Sequence, residues 1–140
     1  MNYLELEFEV DGKDYVSCGH ASDIVKRTLR QMDIPPQVIR KVAIAMYEGE
    51  VNMFIHAGGG KAKVHIYPEK LEIWLSDNGP GIENIDNALK EGFSTASAEA
   101  RSMGFGAGMG LPNMKKYSDG MAITSEVGKG TTVYLRINFT

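Results

Sequence analysis

One stretch constrains the fold more than any other: a long helical stripe closed by glycines. Ile39, Val42, Met46, Gly49 and Met53 recur every three or four residues, so they line one face of a helix predicted over residues 35–56. Pro is tolerated in a first helical turn, and Gly58-Gly59-Gly60 ends the run as a turn. A single apolar stripe of that length must be buried against another layer. Alternating segments supply that layer. Residues 4–10 read LELEFEV, the pattern of a half-buried strand. Residues 63–67 and 71–76 form a hairpin around Pro68-Glu69-Lys70, and 121–127 and 131–139 form another around Gly128-Lys129-Gly130.

The remaining segments fit the same plan. Ile24, Val25, Leu29 and Met32 predict a helix over 21–32, with Ser22 or Asp23 near its N-terminus and Asp33 to Pro36 as its break. A short helix is expected within 84–90, and another over 111–117 begun by Pro112. Residues 91–103 are small and polar, which predicts a mobile segment. The order is strand, two helices, two strands, a loop-rich stretch, one helix and two strands. It predicts an α+β two-layer sandwich: a mostly antiparallel mixed sheet with helices on one face. The length of 140 residues suits one domain over 1–140, and no internal repeat is visible.

Charge and cysteine content narrow the function classes. Fifteen basic against 18 acidic residues leave a net charge of −3, which argues against nucleic acid held on a basic face. Cys18 is the single cysteine, so neither an internal disulfide nor a cysteine zinc site is available, and a reducing compartment is the expectation. No apolar run approaches the ~20 residues that span a bilayer. The alternating start lacks the pattern of a signal peptide, and a cytoplasmic location is expected. Glycine is the outlier, with 16 residues in 140 against an average usage of about 7%.

Four segments are candidates for chemistry. Glu48 and Asn52 lie four residues apart on one helix face, beside the apolar stripe. A carboxylate and an amide oxygen there suit a hard cation such as Mg²⁺, whose shell phosphates and water complete. The carboxylate can also take a proton from an attacking hydroxyl. A solvated polar face is the plainer alternative, weakened by Gly49, which costs about 1 kcal/mol inside a helix unless a close approach requires it. Asp77-Asn78-Gly79-Pro80-Gly81 follows a strand directly. An ionised Asp only accepts hydrogen bonds. It therefore suits the donor amino group of adenine and opposes the carbonyl of guanine. A simple Asn-Gly turn is the alternative. The run from Gly104 to Gly110 contains Gly106 and Gly108 and leads into Leu111 and a helix. Backbone N–H groups so arranged can cradle phosphates. The run is neither a P-loop nor a dinucleotide fingerprint, and a hinge is the alternative. Thr131, opening the last strand, has a hydroxyl for a base or a water, or simply reflects β-propensity. His20, His56 and His65 lack metal-ligand spacing; His56 suits the C-terminal end of its helix, and Trp74 is expected in the core.

Taken together, Glu48-x-x-x-Asn52, Asp77-x-Gly79-x-Gly81, Gly106-x-Gly108-x-Gly110-Leu111 and Gly130-Thr131 resemble the GHKL (Bergerat-fold) ATPase superfamily of histidine kinases, type II topoisomerases and a heat-shock chaperone. The small size resembles its anti-sigma factor serine kinase branch. The resemblance implies Mg²⁺ and ATP or ADP as ligands, with Glu48 as general base and Asn52 as the metal ligand. Asp77 would bind adenine, supported by Thr131, with Gly79 and Gly81 lining the base pocket. Gly106, Gly108, Gly110 and Leu111 would meet the phosphates at the hinge of a lid over about 82–109, and Arg101 would reach the γ-phosphate. It implies a cytoplasmic regulator that phosphorylates a serine of an anti-sigma antagonist and binds a sigma factor, as a homodimer. The alternatives are a non-catalytic ATP-dependent binding switch and a detached histidine kinase catalytic domain. Gly49 and Glu50 stand where that branch often has apolar residues, and residues 16–20 show no sigma-binding motif.

Overall fold

The computed structural model describes residues 3–12, 18–90 and 110–140. Five strands form one sheet: β1 (Leu4–Asp11), β2 (Gly59–Ile66), β3 (Lys70–Asp77), β4 (Gly120–Glu126) and β5 (Gly130–Asn138). Their order across the sheet is β1-β2-β3-β5-β4, and all four pairings are antiparallel. The helices are α1 (His20–Gln31), α2 (Pro36–Ala57), the four-residue α3 (Ile85–Ala88) and α4 (Gly110–Lys116). The expected α+β arrangement is present, with α2 on the sheet and α1 and α4 packed against α2.

Strand alternation and the helical stripe meet in the core. Leu71, Ile73 and Leu75 of β3 and Leu135 and Ile137 of β5 are buried on the face beneath α2. From α2, Ile39, Val42, Met46, Gly49 and Met53 are all buried, as their spacing requires. Each of the apolar side chains among them contributes about 1.5–3 kcal/mol by leaving water. Gly49 has its expected cause: a Cβ there would stand 2.3 Å from Leu75 Cδ1, so the glycine lets α2 settle onto β3. Glu48 and Asn52 are thereby held above the end of the central strand.

Two expectations need correction. Only Gly58, at φ 70°, terminates α2; Gly59 and Gly60 belong to β2 and pair with Asp11 and Val10. A Cβ on Gly59 would lie 2.3 Å from the Val10 carbonyl oxygen, so glycine here permits close strand approach. Trp74 points away from the core, because its neighbours Ile73 and Leu75 take the inner face. It joins an aromatic row across the other face, with His65 at 4.9 Å and Tyr134 at 5.4 Å between ring centroids. The Tyr134 hydroxyl donates to Glu72, and desolvation together with that carboxylate pushes its phenol up to about 12.

Candidate functional site

The site forms where α2, α4 and the adjoining ends of β3 and β5 meet. Glu48 and Asn52 are half-buried on the α2 face turned towards α4. The side-chain amide of Asn113, on α4, donates to Glu48 Oε1 at 3.4 Å. Gly110 opens α4 in front of both α2 residues. A Cβ at Gly110 would lie 3.7 Å from Asn52 Oδ1 and 3.9 Å from Glu48 Oε2. The start of α4 therefore lies within van der Waals reach of both side-chain oxygens. Burial holds the Glu48 carboxyl above its ordinary value of 4.5, and the Asn113 hydrogen bond partly opposes that rise. Such a carboxylate is a better proton acceptor than an exposed one.

Asp77 closes the other side. The antiparallel register sets it opposite Thr131. Its Oδ1 accepts from the backbone N–H of Gly79 at 2.9 Å and of Thr131 at 3.2 Å. One oxygen thus ties the turn to β5. An acceptor held rigidly by two backbone donors matches the need for a base-reading carboxylate. Gly79 passes so close to α2 that a Cβ would lie 2.6 Å from that of Ala57. Gly81 takes φ +81°, a conformation natural to glycine. Leu111 is buried beneath the start of α4. Arg101, Gly106 and Gly108, the polar stretch 91–103 and most of the expected lid lie outside the described residues.

Packing brings together neighbours that the sequence pattern does not reveal. Ser125 of β4 sits opposite Thr131, their hydroxyl oxygens 2.8 Å apart, and its Oγ also accepts from Ile82 N–H at 2.8 Å. Only strand register brings it there, so no spacing rule could have found it. Asn113 follows the glycine run closely, but its reach to Glu48 depends on how α4 packs. Glu50 had been visible only as a charged residue in a place that favours apolar ones. It is 2% exposed, and its two oxygens accept from Ala21 N–H at 3.0 Å and Ser22 N–H at 3.1 Å. It therefore caps the N-terminus of α1 from α2, satisfying donors that a helix leaves free. Its desolvation raises the carboxyl, and these backbone donors oppose the rise.

Residues 38–140 match the family profile described as histidine kinase-, DNA gyrase B- and HSP90-like ATPase. The chain belongs to this ATPase family. Among its curated relatives, the anti-sigma F factor of Caldanaerobacter subterraneus subsp. tengcongensis is 30% identical over 137 residues, 94% of this chain and 90% of its own length. The anti-sigma F factor of Clostridium acetobutylicum is 31% identical over 143 residues, 99% of this chain and 94% of its own. The serine/threonine-protein kinase RsbT of Bacillus subtilis is 30% identical over 97 residues, 66% of this chain and 67% of its own. The sheet and helix arrangement accords with the ATPase fold of the family. No helix among the described residues is long and apolar enough to cross a membrane.

Proposed function

We propose that this chain is an ATP-binding regulator of the anti-sigma type that transfers phosphate from Mg²⁺-ATP to a serine or threonine of a protein partner. The reading is supported by its relatives' names and by one geometric observation. Glu48 and Asn52 stand beside Gly110 at the start of α4, while Asp77, at the end of β3, carries an acceptor oxygen fixed by two backbone donors. Asp77 Oδ2 would accept from the adenine amino group, and Thr131 and Ser125 would hold the hydroxyl side of that pocket. Asn52 Oδ1 is a hard oxygen donor of the kind Mg²⁺ takes. The magnesium nucleotide, when bound, supplies the transferable phosphoryl group and the charge that neutralises its oxygens. Glu48 takes the proton of the acceptor hydroxyl, its basicity raised by burial. Gly106, Gly108 and Gly110 are proposed as backbone donors to the phosphates, and Arg101 as a cation on the terminal one.

The partner is proposed to be an anti-sigma antagonist or a sigma factor, and the active form a homodimer in the cytoplasm. Radiolabelled ATP incubated with candidate antagonist proteins tests the enzymatic reading. Acid-stable phosphoserine or phosphothreonine should form on the partner. Glu48→Gln should lower the rate by roughly 10²–10⁴-fold while calorimetric ATP binding persists. Tight ATP binding with no transfer to any candidate would make the protein a nucleotide-dependent binding switch, and acid-labile label would make it a histidine kinase domain.

A further inference from the structure

The turn after β3 is fastened to the β4–β5 hairpin by hydrogen bonds that strand pairing does not supply. Gly128 N–H donates to the Pro80 carbonyl at 2.8 Å, and Ile82 N–H donates to Ser125 Oγ at 2.8 Å. A Cβ on Gly81 would stand 2.5 Å from the Glu126 carbonyl oxygen, so turn and hairpin meet backbone to backbone. Ser125 is the junction between them. Its Oγ lies 2.8 Å from Thr131 Oγ1 and 3.2 Å from the Gly130 carbonyl oxygen. Thr131 is buried, pairs with Asp77 in register, and donates its N–H to Asp77 Oδ1. The β4–β5 ladder needs no hydroxyl at position 125, since backbone groups make it. What the hydroxyl does is join the Asp77–Thr131 pair to the backbone at Ile82.

Proton counting limits what this junction can do. A hydroxyl has one proton to give and two lone pairs to accept with. Ser125 already accepts from Ile82, so its own proton goes either to Thr131 Oγ1 or to the Gly130 carbonyl. In the first arrangement the Thr131 proton is released for a ligand. The donors then run head to tail, from Ile82 N–H through Ser125 to Thr131, and each bond polarises the next. In the second, Thr131 donates back to Ser125 and offers a ligand only lone pairs. We propose that Ser125 is a positioning residue for base recognition: it presents the Thr131 hydroxyl as a donor and carries base occupancy to the backbone at Ile82. That role rests on the reading of Asp77 and Thr131 as the base-binding pair. The adenine amino group has a ring-nitrogen acceptor beside it. Adenine therefore selects the first arrangement, and the chain of donors tightens the Ile82 bond.

Amide hydrogen exchange, read residue by residue by NMR on the full chain, tests this with ATP and inorganic tripolyphosphate as probes in Mg²⁺ buffer. Saturating ATP should slow exchange of the wild-type Ile82 amide by roughly threefold or more. Tripolyphosphate, which carries no base, should leave it unchanged. Ser125→Val removes the hydroxyl, and Ser125→Thr keeps it on a side chain of the same size. In Ser125→Val the Ile82 amide should exchange fast with or without ATP, and calorimetric ATP affinity should fall by roughly three- to tenfold. Ser125→Thr should restore both, and Ser125→Ala should repeat the valine result if valine disturbs the fold, with urea midpoints reporting folding. Equal ATP affinity and equal Ile82 response in the wild type and Ser125→Val would overturn the proposal. So would an Ile82 amide slowed as much by tripolyphosphate as by ATP. Calorimetry on the wild type keeps the two readings apart. No ATP binding at all would sink the proposed function and the role of Ser125 with it, whereas ATP binding with an unresponsive Ile82 amide would sink the Ser125 role alone.

Discussion

Asp77 Oδ1 secures the turn to β5 through two backbone donors, and Oδ2 is the oxygen proposed to read the base. Asp77→Asn should therefore lower ATP affinity by about 1.5–3 kcal/mol, the worth of a hydrogen bond to a charged group. Isothermal calorimetry measures this, and unchanged ATP affinity or equal affinity for GTP would refute the base-reading role. Glu48 offers a second measurement. Its carboxyl is raised by burial, with Asn113 opposing, so the acid limb of the transfer rate should lie above the ordinary 4.5. Asn113→Ala should move that limb further up in a pH–rate profile. The shared helix face of Glu48 and Asn52 and the place of Asp77 at a strand end were legible from local periodicity. Ser125 and Asn113 were not, since a Ser in a strand and an Asn in a helix carry no signal until packing gives them a neighbour.

Between elements, Glu50 is the informative contact. It joins α1 to α2 across a separation of 28 and 29 residues, and Ser22 Oγ adds a hydrogen bond to the Ala43 carbonyl at 3.0 Å. α1 begins after Gly19, which supplies no side-chain cap of its own. Glu50→Ala leaves the Ala21 and Ser22 donors buried and unpaired. It should cost roughly 2–4 kcal/mol, combining lost charge-assisted hydrogen bonds with a small cavity. Urea denaturation reads that loss, and a cost below about 0.5 kcal/mol would show that water serves the helix end equally well. Element type and order were readable from periodicity. The start of β2 was not, because Gly59 and Gly60 look like a turn in sequence and are strand residues only against β1 and α2.

For the molecule as a whole, the displaced titrations of His56, Glu48 and Glu50 contribute to how stability responds to acid. Burial lowers His56 below 6.5, with Asp77 opposing, so the unfolded chain binds its proton first on acidification. Stability from this group is intact above 6.5 and is lost as pH falls through the folded value. Glu48 and Glu50 have raised values, so their contribution is greatest below 4.5 and declines as pH rises through their folded values. His56→Gln should therefore flatten the loss of stability just below 6.5, read as urea midpoints at successive pH; an unchanged slope would assign that loss to other groups. Sequence by itself determined the strand alternation, the α2 stripe, the order of elements and the Glu48–Asn52 pair, because these depend on backbone periods acting over a few residues. The tertiary structure decided what lies across from what. Thr131 meets Asp77 from 54 positions away, Glu50 finds the end of α1, and Trp74 falls on the outer face. Strand register and helix packing are set by the sum of many weak contacts across the core, and no local pattern contains that sum.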